Sequence, residues 1–117
     1  MEKRIFIWLD DEREIPVQWI KRVADDIYFV KVKNAQNLIN WFKINASKYD
    51  KIFISFDHDL GSELTGYDVA KYIVENGYEL TGFTVHSMNP VGAKNIIDLL
   101  THYNYYQLKW RDEINTL

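Results

Sequence analysis

A chain of 117 residues supplies one core, and at this size roughly two thirds of the unfolded surface is buried on folding. Hydrophobic residues make up 47% against five glycines and two prolines, which excludes a disordered or linker-rich chain and assigns residues 1–117 to a single domain. The net charge of −3 argues against binding a long nucleic acid, and the lack of cysteine removes disulfides, thiolate zinc sites and cysteine nucleophiles.

The cysteine-free composition fits a reducing compartment, so a cytoplasmic location is expected. No apolar run approaches the roughly 20 residues that span a bilayer, and no membrane association is expected.

In chain order, Arg4–Leu9 is a continuous apolar run rich in β-formers, suited to a buried parallel strand, and it stops at Asp10-Asp11. After Pro16, the residues Val17, Trp19, Ile20 and Val23 share one helical face. Ile27–Val32 alternates as a half-exposed strand does, and Asn34 is placed to cap a helix over Ala35–Ala46, with Leu38, Ile39, Trp41 and Phe42 facing the sheet.

Lys51–Phe56 is a second buried run, followed by the polar loop Asp57–Thr65 and a helix from Gly66 to Glu75 that Asn76-Gly77 ends. Thr81–Val85 reads as strand four, and Pro90 opens a helix whose apolar face is Ile96, Ile97, Leu99 and Leu100. Tyr105–Trp110 reads as strand five. Only seven residues follow Trp110, so a final helix is short or missing, and an apolar face left bare there would call for a homodimer. Strands alternating with helices predict a parallel α/β sandwich.

Chemistry-bearing residues gather where apolar runs end. In an open parallel sheet the carboxyl ends of the strands share one edge, where ligands bind. Asp10, Asp11 and Asp57 would repel one another there unless a cation lay between them, and oxygen donors suit Mg²⁺ or Mn²⁺; Asp59 is a further candidate ligand. The competing reading is that these acids cap helices and face water.

His58 and His86 follow different strands yet reach the same edge, as an acid–base pair, as metal ligands, or as loop histidines bonded to backbone. Ser87 and Asn89 have groups suited to phosphate oxygens but also suit an ordinary helix-entry turn before Pro90. Arg13 and Lys94 are candidate charge neutralisers, or solvated surface cations. Tyr67 is the aromatic nearest the acidic loop, whereas the tryptophans and remaining tyrosines fit core positions better than nucleobase stacking. The spacing of Gly61 and Gly66 matches neither a Walker motif nor a dinucleotide fingerprint.

The acid pair after strand one, Asp57 after strand three, Ser87 after strand four and Lys109 in strand five resemble the receiver domains of two-component response regulators along essentially the whole chain. The resemblance implies a flavodoxin-like three-layer sandwich with a five-stranded parallel sheet. It implies that Asp10, Asp11 and Asp57 hold Mg²⁺, that Asp57 accepts a phosphoryl group, and that Ser87 and Lys109 read it. Three features depart from that pattern: Trp110 rather than proline follows Lys109, the final helix is curtailed, and His58, Asp59 and His86 crowd the site.

Four segments are more specifically similar to the cyclic-phosphate-processing receiver-like family: Leu9–Arg13, Ser55–Gly61, Thr65–Ala70 and His86–Gly92. The expectation is a metal-dependent phosphoesterase acting on a cyclic phosphate of a nucleotide, a nucleotide-derived signal or an RNA end. Asp57, His58 and His86 would be catalytic, and Arg13, Tyr67, Ser87, Asn89, Lys94 and Lys109 would contact a small phosphorylated or cyclic nucleotide. A phosphoacceptor receiver and a non-catalytic cyclic nucleotide binder are the alternatives.

Overall fold

The computed structural model describes residues 2–117. Its strands are β1 (Arg4–Leu9), β2 (Ile27–Val32), β3 (Lys51–Phe56) and β4 (Gly82–Val85). Its helices are α1 (Val17–Arg22), α2 (Ala35–Asn45), α3 (Gly66–Glu75) and α4 (Pro90–His102), with 3₁₀ turns at Ala46–Lys48 and Arg111–Asn115. The sheet is wholly parallel in the order β2-β1-β3-β4, so the two most apolar runs, β1 and β3, lie side by side at its centre. There they are covered on both faces, which explains why neither alternates.

Alternate residues of those strands feed two unequal layers. Ile5, Ile7, Leu9, Ile52, Ile54 and Phe56 pack beneath α2, α3 and α4, meeting Leu38, Phe42, Val69, Ile73, Ile96 and Leu100. On the opposite face Phe6, Trp8 and Phe53 meet Val23, Ile27, Leu108 and Ile114.

That second layer is thin, because α1 has six residues, none of them buried. The five-residue turn Arg111–Asn115 completes it: Ile114 is wholly buried, and the Arg4 guanidinium donates to the carbonyls of Ile114 and Asn115 at 3.2 Å each. The short final helix is therefore present and covers the face that the sequence left in question.

The expected fifth strand is reduced to one parallel bridge between Phe83 and Gln107. Phe83 donates to the Tyr106 carbonyl at 2.9 Å and accepts from Leu108 N–H at 2.8 Å. Pairing then stops, because the backbone N–H of Lys109 donates to Glu113 Oε2 at 2.7 Å and the chain turns into its last helix. Strand-like composition over 105–110 did not suffice without an extended partner edge, since β4 itself is only four residues long.

Candidate functional site

The carboxyl ends of β1, β3 and β4 converge on one edge, where Asp10, Asp11, Glu12, Arg13, Asp57, Asp59, Gly61 and Met88 line a pocket of about 430 Å³. Five carboxylates face one arginine in it.

Asp10 is the deepest. Its Oδ1 accepts the backbone N–H groups of Glu12 and Arg13, both at 2.8 Å, and its Oδ2 accepts Arg13 Nε at 2.9 Å and His86 Nε2 at 3.0 Å. A carboxylate offers about four acceptor positions, so Asp10 is saturated. Burial pushes its carboxyl up, but the two backbone donors, His86 and the Arg13 charge outweigh that and hold it below the ordinary range.

Asp57 shifts the other way. Burial and the nearby Asp10 charge raise its pKa, against the smaller pull of Arg13, the His58 N–H and the Ser87 side chain. Its Oδ1 accepts the His58 backbone N–H at 2.8 Å, while its Oδ2 lies 3.5 Å from Arg13 Nη2, a longer contact than the one Arg13 makes to Asp10. Asp11 is half-buried on the same wall and makes no hydrogen bond or ion pair among the described residues; a Cβ at Gly61 would come within 2.9 Å of its Oδ2. Gly61 has φ +64°, so the loop needs glycine there both for its backbone and for the room Asp11 takes.

The two histidines occupy different environments. His86 stacks flat on Trp8, with centroids 3.7 Å apart and planes at 5°. An ionised Asp10 can only accept, so Nε2 carries the proton, and Nδ1 accepts from Ser55 Oγ at 2.7 Å. Burial draws its pKa down to about 4 despite the Asp10 carboxylate. Both nitrogens are engaged, which gives His86 the task of orienting Asp10.

His58 is held instead by Asp59, whose Oδ1 accepts Nδ1–H at 2.8 Å and whose Oδ2 lies 3.4 Å from the Asn89 amide. The Nε2 of His58 has no hydrogen-bond partner among the described residues. Its hydrogen bond to His58 and the weaker one to Asn89 hold the Asp59 carboxyl below its usual range.

Glycines and caps fix this arrangement. A Cβ on Gly92 in the first turn of α4 would sit 2.4 Å from His58 Cγ, so only glycine leaves room for the ring. A Cβ on Gly66 would lie 1.9 Å from the Asp57 carbonyl oxygen, and the Gly66 N–H donates to the His58 carbonyl at 2.8 Å. The close approaches at Gly61 and Gly66 account for the two glycines whose spacing fits no phosphate loop. Asp68 fixes the start of α3 by accepting the Thr65 N–H at 2.7 Å. Asn89 fixes the start of α4 by accepting the Gly92 N–H at 3.0 Å, and Ser87 Oγ accepts the Asn89 N–H at 3.0 Å.

Three expected contacts lie elsewhere. Lys109 is exposed in the bend after the Gln107 bridge and outside the pocket lining, because strand five is not built. Lys94 is exposed on α4 and paired with Asp98 one turn along. Tyr67 packs its ring against the core beneath α3. Conversely, sequence reasoning missed Ser55 and Trp8 as supports of His86. They are cross-strand partners in the β1–β3 register, and the one signal was a serine in the middle of an otherwise apolar strand.

One ligand atom each from Asp10, Asp57 and His86 lies within 4.8 Å of the others. The His86 atom nearest Asp10 is a donor in that contact, so the oxygen donors are the better match to a cation.

A parallel sheet with acids gathered at its carboxyl edge and helices on both faces defines a receiver-like α/β domain, and solved structures agree. The response regulator domain of CheB from Thermotoga maritima superimposes with a TM-score of 0.58 at 16% identity, covering 90% of this chain and 76% of that one. A signal receiver domain from Vibrio parahaemolyticus gives 0.60 at 18% identity over 97% and 85% of the two chains. The RcsB response regulator of Salmonella typhimurium gives 0.60 at 16% identity, covering 99% of this chain and 56% of that one. At such identities the likeness is one of fold.

The sequence is more specific. Residues 5–102 match the model of the cyclic-phosphate processing receiver domain, and the chain belongs to that family. No curated protein matches it significantly. Among the described residues no helix is long and apolar enough to cross a membrane.

Proposed function

We propose that this domain is a divalent-cation-dependent phosphoesterase that opens a cyclic phosphate on a nucleotide, a nucleotide-derived signal or an RNA end. The observation that carries the reading is the pocket of five carboxylates around Arg13, with the His58–Asp59 pair beside it. A phosphate ester is anionic and would be repelled by so many carboxylates unless a cation lay between, and hard oxygen donors match Mg²⁺ or Mn²⁺. Asp11 and Asp57 would hold the ion with Asp59 on the rim, since Asp10 has no acceptor position left. Bound there, it would supply charge neutralisation and a more acidic water.

The chain's own groups account for the rest. Asp59 fixes the tautomer of His58 that leaves Nε2 with its lone pair, which makes His58 the general base toward water. The water oxygen bonds to phosphorus, one ring P–O bond breaks, and the water's proton ends on the departing oxygen, giving a phosphomonoester and a hydroxyl. Arg13, Ser87 and Asn89 supply donors for phosphoryl oxygens. His86 serves as a positioning residue for Asp10.

The test is ³¹P NMR of the protein with Mg²⁺, Mn²⁺ or chelator and a panel of 2′,3′-cyclic nucleotides, cyclic phosphates of ADP-ribose and cyclic dinucleotides. A cation-dependent product that Asp57→Asn and His58→Ala both lose is expected. No product from any substrate would overturn the reading.

The Ser87 side chain, which pulls the Asp57 carboxyl down, favours a second reading, a phosphoacceptor receiver. Arg13 across Asp57 and Lys109 outside the pocket weigh against it. Labelling of Asp57 by acetyl phosphate with Mg²⁺ would decide for it, and ligand binding without turnover would decide for a silent binder.

A further inference from the structure

Arg13 stands where a cation between the acids would stand. Its Nε is 2.9 Å from Asp10 Oδ2 and its Nη2 is 3.5 Å from Asp57 Oδ2, so one guanidinium spans the two buried carboxylates. The loop carrying it is tied down independently of the side chain: Trp8 Nε1 donates to the Arg13 carbonyl at 2.9 Å, and the Arg13 N–H donates to Asp10. The side chain itself is 43% exposed, so its outward path is open.

We propose that Arg13 is the resident counter-ion of this site, displaced from Asp57 by a divalent cation and thereby delivered to the phosphoryl oxygens of the ligand. The inference rests on the cation-dependent reading above. The physical basis is charge repulsion at Asp57 Oδ2, the oxygen that Arg13 approaches. An ion held by Asp57 would bring two positive charges against the guanidinium, and like charges so close repel.

The contact to Asp57 yields first. It is the longer of the two, whereas the Asp10 contact is backed by the saturated carboxylate and by His86. A guanidinium freed on that side keeps a fork of N–H donors suited to phosphate. Arg13 therefore shields Asp57 from Asp10 in the metal-free protein and turns to the ligand in the loaded one.

The test follows the Arg13 side chain with Mg²⁺ alone, by ¹⁵N-edited NMR of the arginine Nε–H groups, assigned with Arg13→Gln. On titration the Arg13 Nε–H resonance is expected to shift and exchange faster with water, while the Trp8 indole N–H stays in place. In parallel, Mn²⁺ binding read by electron paramagnetic resonance is expected to be at least about tenfold tighter in Arg13→Gln than in the wild type, with Arg13→Lys between.

An Arg13 resonance that stays still while the Asp11 and Asp57 amides shift would overturn the proposal, as would equal Mn²⁺ affinity in wild type and Arg13→Gln. If neither protein binds Mn²⁺, both this proposal and the cation-dependent reading fall. A moving Arg13 without any ³¹P product would sustain the counter-ion and remove only the phosphoesterase.

Discussion

At the amino ends of β3 and β4 a groove of about 830 Å³ runs between Tyr49, Tyr78, Tyr103 and Tyr105, whereas the pocket at the carboxyl edge encloses about 430 Å³. Three polar groups of the larger hollow are committed to the fold, while the Lys51 and Glu79 side chains on its lining are unpaired among the described residues. Asp50 accepts the Lys3 N–H at 2.6 Å, Thr81 Oγ1 accepts the Ile52 N–H at 3.2 Å, and the Tyr105 hydroxyl donates to the Tyr78 carbonyl. At the carboxyl edge the Asp11 carboxylate and the Nε2 of His58 lack protein partners among the described residues, while Asp10 and Asp57 are driven apart in pKa. Size distinguishes the two ends less well than the gathering of five carboxylates around one arginine does.

The strongest way to break this contrast is to exchange damage between the ends. Replacing His58 by Ala is expected to lower turnover of any cyclic phosphate found in the ³¹P panel by about 10²–10⁴-fold, the usual weight of a general base. Tyr105→Phe, which removes a hydroxyl at the opposite end, is expected to leave that turnover unchanged. Equal losses from both, measured in the same assay, would erase the distinction.

Gly66→Ala strikes the carboxyl edge through packing. The new Cβ would overlap the Asp57 carbonyl oxygen, a backbone atom that cannot swing aside, so thermal unfolding should report about 3 kcal/mol of destabilisation. A neutral outcome would mean that α3 does not press on the β3 loop as described.

His86 sharpens the comparison through pH. Its pKa falls from 6.5 unfolded to about 4 folded, chiefly by burial, so between those values the unfolded chain binds more protons. Stability contributed by the neutral ring is therefore complete above pH 6.5 and is lost as pH falls toward 4. Denaturant titrations across that window should show a loss of about 1–2 kcal/mol after allowing for solvent screening, and His86→Gln should flatten it. An unchanged slope in the variant would assign the acid sensitivity to other groups.

The smallest expected effect lies at the start of α3. Asp68→Ala removes the acceptor for the Thr65 N–H and should cost about 1 kcal/mol in chemical denaturation, with little effect on the pocket. A large loss of activity there would show that the helix start positions Asp57 more tightly than its other contacts imply.

The central strands were legible because β1 and β3 are covered on both faces and so read as largely apolar runs without alternation. Strand five was not, because its fate depended on the length of β4 and on Glu113 capturing the Lys109 N–H, neither of which is a property of residues 105–110. The site shows the same division. That Asp10, Asp11, Asp57, His58 and His86 meet at one edge follows from strand ends in a parallel sheet.

Their separate tasks do not follow from it. Asp10 is saturated partly by a histidine 76 positions away, and the seat of His58 is the missing side chain of Gly92 at the start of α4. Sequence pattern reports which residues share an edge, and side-chain partnership decides which of them is left with a free lone pair.

The most direct test maps backbone amides by ¹H–¹⁵N correlation NMR while 2′,3′-cyclic AMP is added in the presence of Mg²⁺, using His58→Ala to slow turnover. Shifts confined to Asp11, Arg13, Asp57, Asp59 and Met88 are expected from the carboxyl-edge pocket. Shifts gathered instead at Tyr49, Tyr78 and Tyr103, or none at saturating ligand, would contradict it.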